Sequence, residues 1–400
     1  MIEVLLFSML GLAGTAVAGV ITGDDAEDMP EDDAGDAEQE KVNTDQTDTT
    51  LLTGEDPGGT DDGGNGSGGD NPGSAQDGTL GGDLLGTDGD DVIEGDDSPN
   101  GILALGGNDV VTASGGNDAV DGGEGDDSIY GGEGDDALDG GAGDDTVYGD
   151  WGSDAILGGD GDDTLNGGPG DDALVGGTGD DTLTDWEGSN TLSGGDGHDT
   201  MRGGWEAGEN GRYDGGAGDD TIRDGDGDAS VAGGTGDDTI STGHGDAIID
   251  AGDGDDTVDG GIDTDTVFGG AGDDMITSVG TEASSETDLL YGGDGDDVID
   301  MRGPAEAWGG AGADTFRADM YADLSGPATV QDFTLGEDQI EIELYGHEGN
   351  QDLLDYDVAT ADTEDGASVL VNGEEVLRVA GAQGLSVDDL TLKLISHHTT

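Results

Sequence analysis

The chain repeats one apolar residue at every ninth position over long stretches. Counting from Gly86, the eighth place of thirteen successive nine-residue units is Ile93, Ile102, Val111, Val120, Ile129, Leu138, Val147, Ile156, Leu165, Leu174, Leu183, Leu192 and Met201. Seven more units run from Gly215 to Thr277, with eighth places from Ile222 to Ile276, and single units stand at Gly292 to Asp300 and Gly309 to Arg317. The intervals 203–214, 278–291 and 301–308 interrupt this register and read as loops or imperfect turns. Three residues of which only the central one is apolar describe a very short strand, one side chain in and two out. Two units then make one coil with strands on opposite faces, and the eighth-place residues meet in a thin interior. Turns two units apart stack at the spacing of paired strands, about 4.8 Å. A fixed period of this kind marks a repeat architecture, and the expected fold is an all-β parallel β-roll.

The residues between the strands carry the chemistry. Gly122-Gly123-Glu124-Gly125-Asp126-Asp127 shows the turn at its cleanest, and Gly-Gly-x-Gly-x-Asp recurs at Gly131, Gly140, Gly158, Gly167, Gly176, Gly194, Gly215, Gly233, Gly269, Gly292 and Gly309. Glycines let main-chain carbonyls converge in a tight turn, and the sixth-place Asp adds a hard anionic oxygen of the kind that selects calcium or magnesium. A cation between stacked turns would meet carboxylate and carbonyl oxygens from both, which suits calcium's six to eight ligands better than magnesium's smaller, hydrated octahedron.

Composition supports this and removes other classes. With 98 acidic residues against 8 Lys and Arg, the net charge of -90 repels polyanions and excludes non-specific nucleic-acid binding. The 86 glycines come with only 7 prolines and no triplet period, which excludes collagen. The absence of cysteine excludes disulfides, thiolate metal sites and thiol nucleophiles. A merely solvated acidic surface would not hold Asp, Gly and an aliphatic residue in one register from Gly86 to Arg202.

The nonapeptide resembles the repeat of the RTX, or haemolysin-type calcium-binding, proteins. By that resemblance the calcium-ligating carboxylates are Asp91, Asp109, Asp118, Asp127, Asp136, Asp145, Asp154, Asp163, Asp172, Asp181, Asp199, Asp220, Asp238, Asp256, Asp265, Asp274, Asp297 and Asp314. Asn100, Asn190, Ala229 and Ala247 stand where the Asp should be, so those sites are expected to be weak or empty.

The flanks differ from the roll, which is assigned to 77–317. Residues 1–22 contain an uncharged run from Val4 to Ile21 that reads as a cleaved secretory signal, a retained anchor or a hydrophobic self-association tag. Residues 23–76 are acidic and Gly/Asp-rich, and are expected to be a disordered linker. Residues 318–400 read as a β-rich C-terminal cap: Gln339 to Leu344 alternates Ile and Glu, and Asn372-Gly373 joins two apolar runs in the signature of a two-residue hairpin. This segment is similar to the C-terminal region that addresses RTX proteins to a type I secretion apparatus, although the ending Ile395-Ser396-His397-His398-Thr399-Thr400 departs from the acidic-then-aliphatic terminus of some members.

The sequence carries no familiar catalytic signature. His-Glu-x-x-His, Gly-x-Ser-x-Gly and the Walker loop are absent, and His198, His244, His347, His397 and His398 lack zinc-site spacing. The expectation is a non-enzymatic, secreted or cell-surface-associated protein that binds multiple calcium ions, folds on extracellular calcium and plays a structural or surface role. Self-association or a cell-surface partner belongs to that picture. The alternatives are a non-catalytic secretion or chaperone module for a separate enzyme, or a calcium-dependent adhesin. Trp151, Trp186 and Trp205 fall in imperfect units at even separations, which places them along one edge, either covering gaps in the turns or forming a binding patch.

Overall fold

The computed structural model describes residues 73–74, 83–204, 210–279, 287–319, 326–346 and 356–396. The expectations for 1–22, for nearly all of 23–76 and for Trp205 therefore lie outside the described residues. Among the described residues the chain is a parallel β-solenoid whose successive strands alternate between two sheets. In the first sheet Ile129 pairs with Val147 and Val147 with Leu165; in the second Leu138 pairs with Ile156 and Ile156 with Leu174. Each step is eighteen residues, the two-unit coil that the spacing predicts. The eighth-place residues of both sheets are buried in one continuous core. The only helix among the described residues is the 3-10 turn Val387–Asp389, and no helix there is long and apolar enough to cross a membrane.

Two local features differ from the expected three-residue strand. Strands such as Ser128–Glu133 and Ala155–Asp160 are six residues long, because pairing resumes after the first glycine of the next unit: Gly132 pairs with Asp150 and Glu133 with Trp151. The turn between strands needs the left-handed backbone that glycine adopts at little cost. Gly134 has φ +142, and a Cβ there would run into the carbonyl of Gly116 one coil below. Where Leu105, Ser114 and Asp150 replace the second glycine, they keep φ of 81, 83 and 70, so the stacked neighbours impose the conformation.

The three intervals that break the nine-residue register do not break the solenoid. They change coil length to 21, 23 and 17 residues, and each delivers an apolar residue to the core in register: Tyr213 beside Leu192, Leu290 beside Val267, and Ala307 beside Leu290. At the N-terminal end, Gly73–Ser74 pairs with Asp91 and Val92, so the ladder starts inside the stretch read as linker; those two residues satisfy main-chain groups that an open sheet edge would leave bare.

At the C-terminal end Gln339–Gly346 and Leu390–Ser396 extend the first sheet in parallel. The second sheet continues through Ala328–Val330 to Glu374–Ala380 and then turns antiparallel into Gly366–Val371 and Val358–Asp362. Asn372 and Gly373 both have positive φ, as the expected two-residue hairpin turn requires. Arg317 and Lys393 converge on one oxygen of Glu341 at 2.9 and 2.6 Å and tie three neighbouring strands together.

Candidate metal centre

Sorting the sixth-place residues by sheet separates them into two edges. Along the first edge an unbroken series runs Asp91, Asp109, Asp127, Asp145, Asp163, Asp181, Asp199, Asp220, Asp238, Asp256, Asp274, Asp297 and Asp314. In each step the main-chain N–H of one Asp donates to Oδ1 of the next, at 2.7 to 3.1 Å, and Asp314 donates in the same way to Asp338. The second edge carries Asp118, Asp136, Asp154 and Asp172 in the same relation, then a gap, then Asp265. All eighteen residues singled out in the sequence are buried.

The hydrogen bond uses only half of each carboxylate. Oδ2 is buried without a donor in every one of the eighteen except Asp91, where Oδ1 is the bare atom because Thr87 occupies Oδ2, and Asp314. These bare oxygens face main-chain carbonyls of the next coil. A Cβ on Gly140 would lie 2.5 Å from Asp145 Oδ2 and 2.7 Å from Gly158 O, and one on Gly131 would lie 2.5 Å from Asp136 Oδ2 and 2.8 Å from Gly149 O. Only acceptors meet there, and leaving buried carboxylate oxygens unpaired is costly. A hard cation resolves this. Among the described residues no three His, Cys, Asp or Glu side chains converge, so the donor set is carboxylate plus carbonyl oxygen, which suits calcium and not thiolate- or imidazole-seeking metals.

Electrostatics agree with the geometry. Burial, offset in part by the main-chain hydrogen bond and reinforced by neighbouring carboxylates, pushes Asp145, Asp154, Asp181, Asp220, Asp256 and Asp297 up to about 7. Asp127, Asp163, Asp238 and Asp274 rise to about 6 for the same reasons. Raised in this way, the metal-free rows take up protons more readily than free carboxylates do, and a cation would compete with those protons.

Several functional-looking residues escaped the sequence reading. Asp288 takes the N–H of Asp265 in line, but its other oxygen accepts the Ser278 hydroxyl; the five extra residues of its coil hid it, though it sits two before the core residue Leu290. The fifth-place carboxylates form an exposed ladder of opposite polarity, in which the N–H of Asp144, Asp162 and Asp180 donates to Oδ1 of the residue one coil earlier. The gap in the second edge spans Asn190, Gly211, Ala229 and Ala247. Asn190 still accepts from Asp172 N at 2.9 Å, and Asn100 takes the N–H of Asp96. Within the gap the first place of the unit, normally small, is Asp185, Gly203, Asp224 and Thr242. There the Tyr213 hydroxyl donates to Asp224 at 2.8 Å and the Thr242 hydroxyl to the Gly260 carbonyl at 2.5 Å, so donor hydrogens meet acceptors that the turns elsewhere leave bare. Trp151 and Trp186 are 66% and 41% exposed.

The RTX calcium-binding nonapeptide repeat family matches at residues 85–120, 102–129, 112–147, 148–183, 176–207, 214–249, 241–276 and 282–300. No curated protein matches. Among solved structures, a hyperactive, calcium-dependent, β-helical antifreeze protein from an Antarctic bacterium is similar at 21% identity and a TM-score of 0.37, over 65% of this chain and 86% of that one. With the repeat matched over more than half the chain and its turns stacked into rows of half-satisfied carboxylates, the chain belongs to the RTX calcium-binding nonapeptide repeat family.

Proposed function

We propose that the sixth-place carboxylates, Asp91 to Asp314 on the first edge and Asp118 to Asp172 with Asp265 on the second, ligate rows of calcium ions, and that the roll folds when calcium arrives. The observation that carries this reading is the bare, buried Oδ2 that recurs from coil to coil beside a carbonyl of the next. Without a cation, like charges stack at every coil against a core one residue deep per strand, so binding and folding are one event. Calcium at roughly 0.1 to 1 mM, the range of extracellular modules, sets the switch. A protein that stays expanded inside a cell and closes outside it fits export, with 318–400 as the cap and type I secretion region and the roll over 77–317 as a non-catalytic structural or cell-surface element.

Circular dichroism of the full chain tests this. A cooperative gain of β-structure on adding calcium is expected; equal β content in chelator and in millimolar calcium would overturn it.

A further inference from the structure

The gap in the second edge begins with a residue that the repeat does not provide for. First-place side chains would project into the cradle between coils, which is why that place is usually glycine. At 185 it is Asp, 0% exposed, and neither of its oxygens receives a well-formed hydrogen bond; the Glu187 amide lies close enough only to temper its charge. Asp172, one coil earlier, gives Oδ1 to the Asp154 N–H at 2.7 Å and keeps Oδ2 bare. Asp172 Oδ2 and Asp185 Oδ2 crowd the same point, the place a Cβ of Gly167 would take. Neither carboxylate takes part in an ion pair among the described residues.

Asn190 explains how the coil tolerates this. It preserves the hydrogen bond from Asp172 without a charge, so the carboxylate lost at 190 reappears at 185. Of the other first-place substitutions in the gap, Thr242 donates to Gly260, and Asp224 accepts from Tyr213 on Oδ1 while its Oδ2 stays bare. Asp185 alone has both oxygens buried and bare.

We propose that Asp172 and Asp185 together hold one calcium-class cation in a two-carboxylate site that ends the first stretch of the second row. Resting on the calcium reading above, this site differs from the repeat sites in its local charge. Two carboxylate oxygens meet at Gly167, where one carboxylate oxygen and one main-chain carbonyl meet at Gly131 and Gly140, and affinity for hard cations rises with ligand charge. It is the tightest site on its edge.

Terbium(III) is the probe, since it takes calcium's oxygen ligands and emits when excited through a nearby indole, here the adjacent Trp186. Substoichiometric terbium is added to full-length protein folded in calcium, where it displaces calcium first at the most negative site. Tryptophan-excited emission is expected in the parent. It should fall at least tenfold in Asp185→Asn and in Asp185→Gly, which restores the glycine of other coils, and should vanish in Trp186→Phe with β-structure retained. Emission unchanged in both Asp185 variants would overturn the proposal, and is what a proton shared between the two carboxyls would give. No gain of β-structure with calcium in the parent would instead refute the calcium reading itself.

Discussion

The N–H of Asp145 donates to Oδ1 of Asp163 at 2.8 Å, one coil further on, while Oδ2 of the same carboxylate is buried with no donor. One oxygen stitches the backbone and the other awaits a cation, so the two roles can be separated by mutation. Asparagine keeps the stitching oxygen and offers an N–H to the facing carbonyl, as Asn190 keeps its bond to Asp172. The triple variant Asp145→Asn, Asp163→Asn, Asp181→Asn should bind fewer ions in equilibrium dialysis, by about one per substitution. It should also retain more β-structure in chelator than the parent. Unchanged ion counts would show that the bare oxygens are not ligands.

Acid should partly replace calcium. The row carboxylates have folded-state pKa values pushed up to about 6 or 7 from 3.8, so between these values the metal-free folded chain binds protons that the unfolded chain releases. Stability without metal is therefore greatest below the ordinary carboxylate range and is lost as pH rises through about 7. In chelator, β-structure should increase as pH falls from about 8 to about 4. Where acid has restored β-structure in chelator, calcium must displace the bound protons, so over that acid-folded range the midpoint of calcium binding should move to higher concentration as pH falls. A binding midpoint independent of pH within that range would contradict this linkage.

The Tyr213 hydroxyl on Asp224 puts a phenol donor where the proposed rows would hold a cation. Tyr213→Phe leaves that carboxylate without its donor, at a cost of about 1 to 3 kcal/mol, while the core ring stays in place. A lower Tm in saturating calcium, with the number of bound ions unchanged, is the expected result. Loss of an ion in this variant would mean that the gap holds metal after all.

With one apolar residue per strand, each one counts. Leu174 lies between Ile156 and Leu192 in the second sheet, and Leu174→Ala should cost about 2 to 5 kcal/mol in calcium-saturated thermal unfolding. Gly134→Ala attacks the turn instead, since its Cβ would meet the Gly116 carbonyl at φ +142; it should raise the calcium required for folding.

The period of nine was enough to read the coil, its core and the sixth-place carboxylates, because each of those depends on spacing alone. The sorting into an intact and an interrupted edge was equally present in the sequence but needed alternate units to be read separately, after which Asn190, Ala229 and Ala247 fall together. Asp288 and Tyr213 were hidden by coils of unusual length. Asp185 could have been noticed as a charge at a place reserved for small residues; that its charge is left unanswered follows only from packing. The bond of a fifth-place Asp to the amide of the next coil is a three-dimensional fact that spacing alone does not show.

Coils of 17, 21 and 23 residues sit in phase with neighbours of 18. Chain length is thus uncoupled from the alignment of the ladder: material can be added or removed between strands while the residues on both sides keep their partners. For a design built on this scaffold, the interval between Arg202 and Arg212 is an insertion point at which a guest peptide could be displayed at a fixed height along the stack. Whole coils, by contrast, could be duplicated to lengthen the ruler in even steps.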